Sequence, residues 1–127
     1  MSLLQESGKD FGLLILRVFF SLFMIFGHGW NKLVEFPRLM DTFPDPLGIG
    51  PMLSLSGAVF AEVICSILIL LGVKTRFFAV PAFITMMVVA LLVLGNDPFV
   101  RQEKALLYAV VYLVLIIAGG GKFSVRD

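Results

Sequence analysis

Four long apolar segments, separated by polar breaks, make up most of the chain. A transmembrane helix needs about 20 residues, and the apolar segments predict helices at about 11–30, 52–71, 77–94 and 98–118. Pro51 before the second segment and Gly72 after it suit a helix start and a helix end. We therefore predict an all-α membrane protein, a four-transmembrane-helix antiparallel bundle that forms a single domain over residues 1–127.

The connections between the segments predict the topology. Two of them are short, and the long loop 33–50 is the third. Four crossings place both termini on one side of the membrane. Lysines and arginines on that side outnumber those on the other by five to four: Lys9, Lys74, Arg76, Lys122 and Arg126 against Lys32, Arg38, Arg101 and Lys104. This small excess favours cytoplasmic termini.

Composition supports a multi-pass membrane protein and excludes several kinds of site. Hydrophobic residues are 59% of the chain, against about 45–50% in soluble domains, and mean hydropathy is +1.00. The net charge of +1 gives no reason to expect a nucleic-acid partner. A single cysteine, Cys65, rules out an internal disulfide. No His/Cys cluster has metal-site spacing, so we expect no metal and no covalently bound cofactor.

Glu62 is the most informative residue because it is the only charged residue between Leu47 and Val73. A carboxylate at the centre of a transmembrane helix costs about 2.5–3.5 kcal/mol on insertion scales, and such groups normally face a partner or a polar cavity. Glu62 is therefore expected to point into the bundle.

Helical spacing places other polar residues on inward faces. Arg17, Ser21, His28 and Lys32 share one face of the first segment, and Lys104, Tyr108 and Tyr112 share one face of the fourth. The expected ligand-binding residues are Arg17, Ser21, His28, Glu62, Tyr108 and Tyr112. Glu62 and His28 are the catalytic candidates, although no catalytic role is assigned. Lys32 and Lys104 are expected to be interfacial anchors.

Depth along the helices indicates which of these residues meet. At about 1.5 Å per residue, Glu62 is level with Ser21 and Tyr108, roughly 15 Å from the side that holds the termini. Arg17 and His28 then lie on either side of it. The residues leave open whether Glu62 pairs directly with Arg17, and Arg17 could instead reach the lipid headgroups.

The chain resembles the DoxX family of small four-helix membrane proteins. Four segments carry the resemblance in order along the chain: Arg17 with Gly27-His28-Gly29 and Lys32; Glu62 with Gly72; Glu103-Lys104-Ala105-Leu106-Leu107-Tyr108; and the tail from Gly119 to Asp127. The tail departs from the family pattern at Gly120, where proline is common, and at Val125-Arg126.

The resemblance implies a function in general terms. The family includes the small membrane subunit of a thiosulfate:quinone oxidoreductase, and other members associate with a sulfurtransferase and a superoxide dismutase at the membrane. One hypothesis is thus a subunit of a quinone-linked oxidoreductase assembly. Its polar cluster around Glu62 would bind a polar head group such as a quinone or relay protons, and partner redox subunits would supply electrons.

The alternative is a non-catalytic membrane scaffold or binding protein for a lipid-like ligand, an exported substrate or a partner subunit. The polar cluster would then hold the helices in register, and the long loop would be the contact surface. A homo-oligomer is compatible with both hypotheses, and the sequence does not decide whether the protein is an enzyme.

Overall fold

The computed structural model describes residues 3–127, and within that range the fold is all-helical without a β-strand. The first helix, α1, covers residues 3–34 and includes a π-helical turn at Ile25–Gly29. The other four elements are the short helix α2 (Phe36–Leu39), α3 (Pro51–Leu71), α4 (Thr75–Val93) and α5 (Phe99–Ala118).

The first predicted helix and the long loop need correction. Helix α1 begins before the predicted residue 11 and continues past residue 30 to Val34. The segment 33–50 is therefore not a simple loop, because it holds the end of α1 and all of α2. Pro37 lies in the first turn of α2, where a proline without an N–H costs no hydrogen bond. The chain thus returns to the bundle through a partly helical connection.

Three helices are long and apolar enough to cross a bilayer among the described residues: Ser7–Val34, Pro51–Leu71 and Thr75–Val93. Helix α5 has 20 residues, but its first turns contain Arg101, Glu103 and Lys104. The protein is thus a multi-pass membrane protein, and its lipid-facing helix surfaces expose many large apolar side chains.

Small side chains hold α4 and α5 together along most of their length. Ala79, Ala82 and Ala90 are almost fully buried on α4, and Ala105 and Ala109 are buried on α5. Small residues let two membrane helices approach closely, which strengthens van der Waals packing where lipid removes the hydrophobic driving force. These two helices make the most extensive helix pair in the fold.

Helices α3 and α4 diverge from the turn that joins them. They pack together at Cys65–Leu71, and less at the π-helical turn Phe60–Ile64. The first half of α3 instead packs against the segment after α1, where Leu55, Val59 and Val63 contact Phe36, Leu39, Met40 and Phe43. A gap therefore opens between α3 and α4 on the side away from their turn.

The C-terminal segment closes the other end of the bundle. Residues 120–127 run along the α3–α4 turn, where the Arg126 N–H donates to the Gly72 carbonyl at 3.0 Å and the Lys74 N–H donates to the Arg126 carbonyl at 2.7 Å. Gly72 has φ of 77°, a left-handed conformation that favours glycine. This end of the bundle is thus tied by backbone hydrogen bonds between the C-terminal segment and the α3–α4 turn.

Candidate functional site

Glu62 pairs with Lys32. The Lys32 Nζ lies 2.8 Å from Glu62 Oε1, and the side chains are 23% and 3% exposed, respectively. Lys32 lies near the end of α1, and its side chain leans back toward the helix N-terminus. Glu62, on an antiparallel helix, leans toward Lys32 for the same reason. The residue expected to be an interfacial anchor is therefore the counterion of the buried carboxylate.

Gly29 allows α1 and α3 to meet at this point. A Cβ at Gly29 would lie 3.0 Å from the Cβ of Glu62 and 2.6 Å from Cγ2 of Val63. Gly29 ends one π-helical turn, and Glu62 is the middle residue of another, Phe60–Ile64. Such turns are frequent at functional sites because the extra residue re-aims side chains. The two helices thus lie close together beside the ion pair.

The structure changes the expected depth of α1. Arg17 lies at the end of α3, where its Nη1 donates to the carbonyls of Ile69 at 3.1 Å and Leu70 at 3.2 Å. Glu62 is ten residues, or about 15 Å, from Gly72 at the end of α3. Because Arg17 lies at that same end, the residue of α1 at the level of Glu62 is ten residues after Arg17, which is Gly27. The expected depths were counted from residue 11 as the start of the membrane span. This choice displaced α1 along its axis by about 9 Å relative to α3.

Arg17 therefore lies outside the Glu62 site. Its guanidinium is fully buried, and its Nη2 donates to the carbonyl of Phe123 in the tail. Gly72 leaves room for this group, because a Cβ there would lie 2.7 Å from Arg17 Nη1. Arg17 thus binds carbonyls at the end of α3 and in the C-terminal segment, and it makes no contact with Glu62.

His28 and Tyr108 form the wall beside the ion pair. Their rings are 5.6 Å apart and nearly perpendicular, which is a favourable edge-to-face arrangement. Phe20 meets Tyr108 on another side at 5.5 Å. Lys104, one turn before Tyr108, is exposed. His28, Tyr108 and Lys104 also line a shallow recess on the α1 side of this wall.

Ser21 and Tyr112 lie in the packed interior and line neither cavity described here. Both are almost fully buried, and Tyr112 stacks on Tyr108 with 6.4 Å between ring centroids. The buried hydroxyls of Tyr112 and Ser66 are close together, without a hydrogen bond of standard geometry. Of the six expected ligand-binding residues, the structure thus brings together His28, Glu62 and Tyr108.

A cavity of about 710 Å³ occupies the gap between α3 and α4 and reaches α5. Ligand sites commonly have volumes of about 300–1,000 Å³. The walls are largely apolar, with Gly57 and Phe60 from α3 and Val80 and Ile84 from α4. Most polar lining side chains belong to α1, to α5 or to position 62 of α3, namely His28, Lys32, Glu62, Arg101, Lys104 and Tyr108, and the others are Ser54 and Thr85. The cavity therefore suits a molecule with an apolar body and a polar head.

The connection before α3 covers part of this cavity. Phe43, Leu47 and Ile49 contribute to its lining. Asp45 fastens the connection, because its Oδ1 accepts hydrogen bonds from Ser54 Oγ at 2.8 Å and the Ile49 N–H at 3.0 Å. The Ser54 hydrogen bond is the main cause of a lowered pKa of Asp45. The connection thus bears an ionised carboxylate that holds it to the start of α3.

Sequence reasoning missed three contributors to this site. Gly29, Gly57 and Asp45 carry no unusual chemistry of their own, and their roles depend on which helix or loop lies opposite. The proximity of Gly29 to His28 was the available signal, because a glycine within an apolar helix often marks a close approach.

Comparisons with known proteins identify the family. The DoxX family model matches residues 12–95. An uncharacterized protein of Haemophilus influenzae is 32% identical over 129 aligned residues, which cover 95% of this chain and 85% of the relative. No solved structure matches the chain. The matched range includes α1 from residue 12 onward and all of α2, α3 and α4, and the chain belongs to the DoxX family.

Proposed function

We propose that the protein binds a lipid-soluble molecule of the quinone class in the cavity between α3 and α4, as the membrane subunit of a quinone-linked oxidoreductase assembly. In this proposal α5 is a fourth crossing, the protein lies in a bacterial cytoplasmic membrane, and both termini are cytoplasmic. The polar residues around Glu62 are the binding site for the head group.

The buried ion pair beside an apolar cavity is the observation that carries the proposal. Lys32 and Glu62 are held at 2.8 Å, and both side chains line the cavity. Removing two charges from water costs several kcal/mol per ion, so a pair of this kind rarely serves packing alone. Intramembrane ionisable residues mark ligand and proton paths by default.

The donors around the cavity fit a quinone head group. A quinone ring presents carbonyl oxygens, which accept hydrogen bonds but do not donate them. The ammonium groups of Lys32 and Lys104 and the hydroxyl of Tyr108 are donors, and all three residues line the cavity. The apolar walls formed by Phe60 and Ile84 suit an isoprenoid chain. A bound quinone would supply two-electron, two-proton acceptor chemistry.

Specific roles follow for the polar side chains. Lys32 holds the Glu62 carboxylate in position and donates to the head group. Glu62 accepts and releases a proton at its carboxylate. His28 lines both the cavity and the shallow recess, and its imidazole can exchange a proton with a molecule in either one. A partner subunit supplies the electrons in this scheme.

A non-catalytic binding protein is the second candidate function. It is favoured by the predominantly apolar cavity wall, which would accept any lipid-like ligand of suitable size. The two candidates differ in turnover, because only the first requires that Glu62 support quinone reduction.

The test measures binding of decylubiquinone to the full chain in nanodiscs of neutral lipid. Quenching of the fluorescence of the single tryptophan is the readout. That residue, Trp30, is two positions before Lys32 in α1. Gly57→Leu should weaken binding about tenfold or more, since the leucine would occupy cavity volume that the ligand needs and overfilling that space costs ~1–3 kcal/mol. Gly12→Leu is the matched control, because neither glycine has an atom within 4 Å of an added Cβ and Gly12 lines neither described cavity.

A second arm of the experiment tests the redox role. Membranes that contain the protein and its partner subunits should reduce decylubiquinone with thiosulfate as the electron donor, and Glu62→Gln should abolish the reduction. Glu103→Gln is the matched control because Glu103 is exposed on α5. Binding with no reduction in the wild type would support the non-catalytic candidate, and equal quenching in all variants would remove both.

A further inference from the structure

The cavity between α3 and α4 has the same polarity gradient as a membrane lipid. It extends along α4 from Leu94 to Val80, about 21 Å of helix at 1.5 Å per residue. Leu94 lies just past the end of α4, near the membrane surface, and Val80 lies deep. The lining charges Arg101 and Lys104 belong to the first turns of α5. The cationic end is thus at the level of lipid headgroups, and the apolar end is at the level of acyl chains.

The cavity is open to the bilayer at its side. Phe60, Ile84 and Leu53 line it and are 44%, 54% and 60% exposed. In a membrane these exposed surfaces face hydrocarbon because they lie within the spanning helices α3 and α4. A molecule that is already in the bilayer can enter between the helices without passing through water.

Positive charge exceeds negative charge around the cavity. The formally charged lining residues are Lys32, Arg101, Lys104 and Glu62. Glu62 is paired with Lys32, and Nη1 of Arg101 lies 3.4 Å from the partly exposed carboxylate of Asp97. Lys104 makes no ion pair within the described part of the chain. An anionic head group would therefore complete the charge balance at Lys104.

We infer that the cavity binds an anionic phospholipid of the surrounding bilayer, with its phosphate at Lys104 and Arg101 and one acyl chain along α4. The inference rests on the proposed function in using the same cavity as a ligand site. The lipid would occupy the apolar crevice that the quinone chain needs, so lipid and quinone compete. The site thereby becomes sensitive to the anionic lipid content of the membrane.

The test is native mass spectrometry of the full chain extracted from vesicles with equal amounts of phosphatidylglycerol and phosphatidylcholine. We expect one retained phosphatidylglycerol per chain. Lys104→Met should weaken its binding about fivefold, the usual contribution of one basic residue near an anionic surface. Lys104→Arg should retain it, and Lys122→Met should leave it unchanged because Lys122 lies outside both cavities.

Further measurements distinguish a bilayer phospholipid from a free phosphate compound as the source of the anion. They also separate the lipid inference from the proposed quinone function. Free glycerol phosphate should not displace the retained lipid, since it lacks a chain for the apolar crevice, and displacement would overturn the inference. Equal retention of the two phospholipids by the wild type, or an undiminished preference in Lys104→Met, would also overturn it. If decylubiquinone binds and phosphatidylglycerol does not compete, the lipid inference fails and the proposed function stands. Competition without quinone reduction would leave the lipid inference intact.

Discussion

Loss of Lys32 should destabilise the protein more than loss of Glu62, although the two side chains form one ion pair. In Lys32→Met, the Glu62 carboxylate remains 3% exposed with no counterion. In Glu62→Leu, the remaining ammonium belongs to a side chain that is 23% exposed and that can extend toward the interface. The difference in exposure therefore predicts unequal effects of the two single substitutions.

The magnitude follows from the geometry of the pair. Two unit charges 2.8 Å apart attract with about 6 kcal/mol at an effective dielectric constant of 20. Desolvation costs several kcal/mol per ion, so the net contribution of the pair is small. Breaking a buried pair from one side costs about 3–5 kcal/mol. We expect Lys32→Met in that range and Glu62→Leu about 1–2 kcal/mol below it.

A double-mutant cycle measures this coupling. Lys32→Met, Glu62→Leu and the double variant would be unfolded with SDS in mixed micelles, with far-UV circular dichroism as the readout. The double variant should be more stable than Lys32→Met, because no charge remains buried. A Lys32→Met protein as stable as the wild type would contradict the predicted coupling between Lys32 and Glu62. A double variant whose loss of stability equals the sum of the two single losses would contradict it as well.

Two further predictions concern the framework, one beside the site and one at the end of the bundle that the C-terminal segment closes. Gly29→Ala should destabilise the protein by about 1–3 kcal/mol in the same unfolding assay, because the added Cβ overlaps α3. Gly27→Ala, which has no neighbour within 4 Å, should be neutral or stabilising by up to ~1 kcal/mol. Burial opposes ionisation of Asp127, but hydrogen bonds from Gly120 and Thr75 outweigh it and lower the pKa of Asp127. The wild type should therefore exceed Asp127→Asn in stability above the ordinary aspartate pKa, and that advantage should disappear as pH falls through the lowered value. A pH-independent difference between these two proteins would show that the ionised carboxylate of Asp127 does not stabilise the fold.

The helices were largely predictable because long apolar runs have one stable arrangement in lipid. The limits of α3 illustrate this, since proline and glycine mark both ends of the apolar run. The limits of α1 were less clear because the helix continues beyond its apolar segment at both ends. Nothing in the local sequence shows whether such polar extensions are helical or irregular.

The partner of Glu62 was harder to predict because it depends on the relative height of two helices. Helical periodicity placed Arg17, His28 and Lys32 on one face, but it did not fix where that face lies in the membrane. The residue from which depth was counted along α1 was wrong by six positions. This error moved the residue expected opposite Glu62 by almost two helical turns. The contacts of Arg17 with the end of α3 set the register, and they involve backbone carbonyls that no sequence pattern reveals.

Titration of decylubiquinone into Gly57→Leu and Gly12→Leu shows whether the quinone binds in the cavity between α3 and α4. Both substitutions replace a helical glycine with the same side chain, and only Gly57 lines the cavity between α3 and α4. We expect binding about tenfold or more weaker for Gly57→Leu and unchanged for Gly12→Leu. Equal affinities for the two variants would show that the cavity is not the binding site.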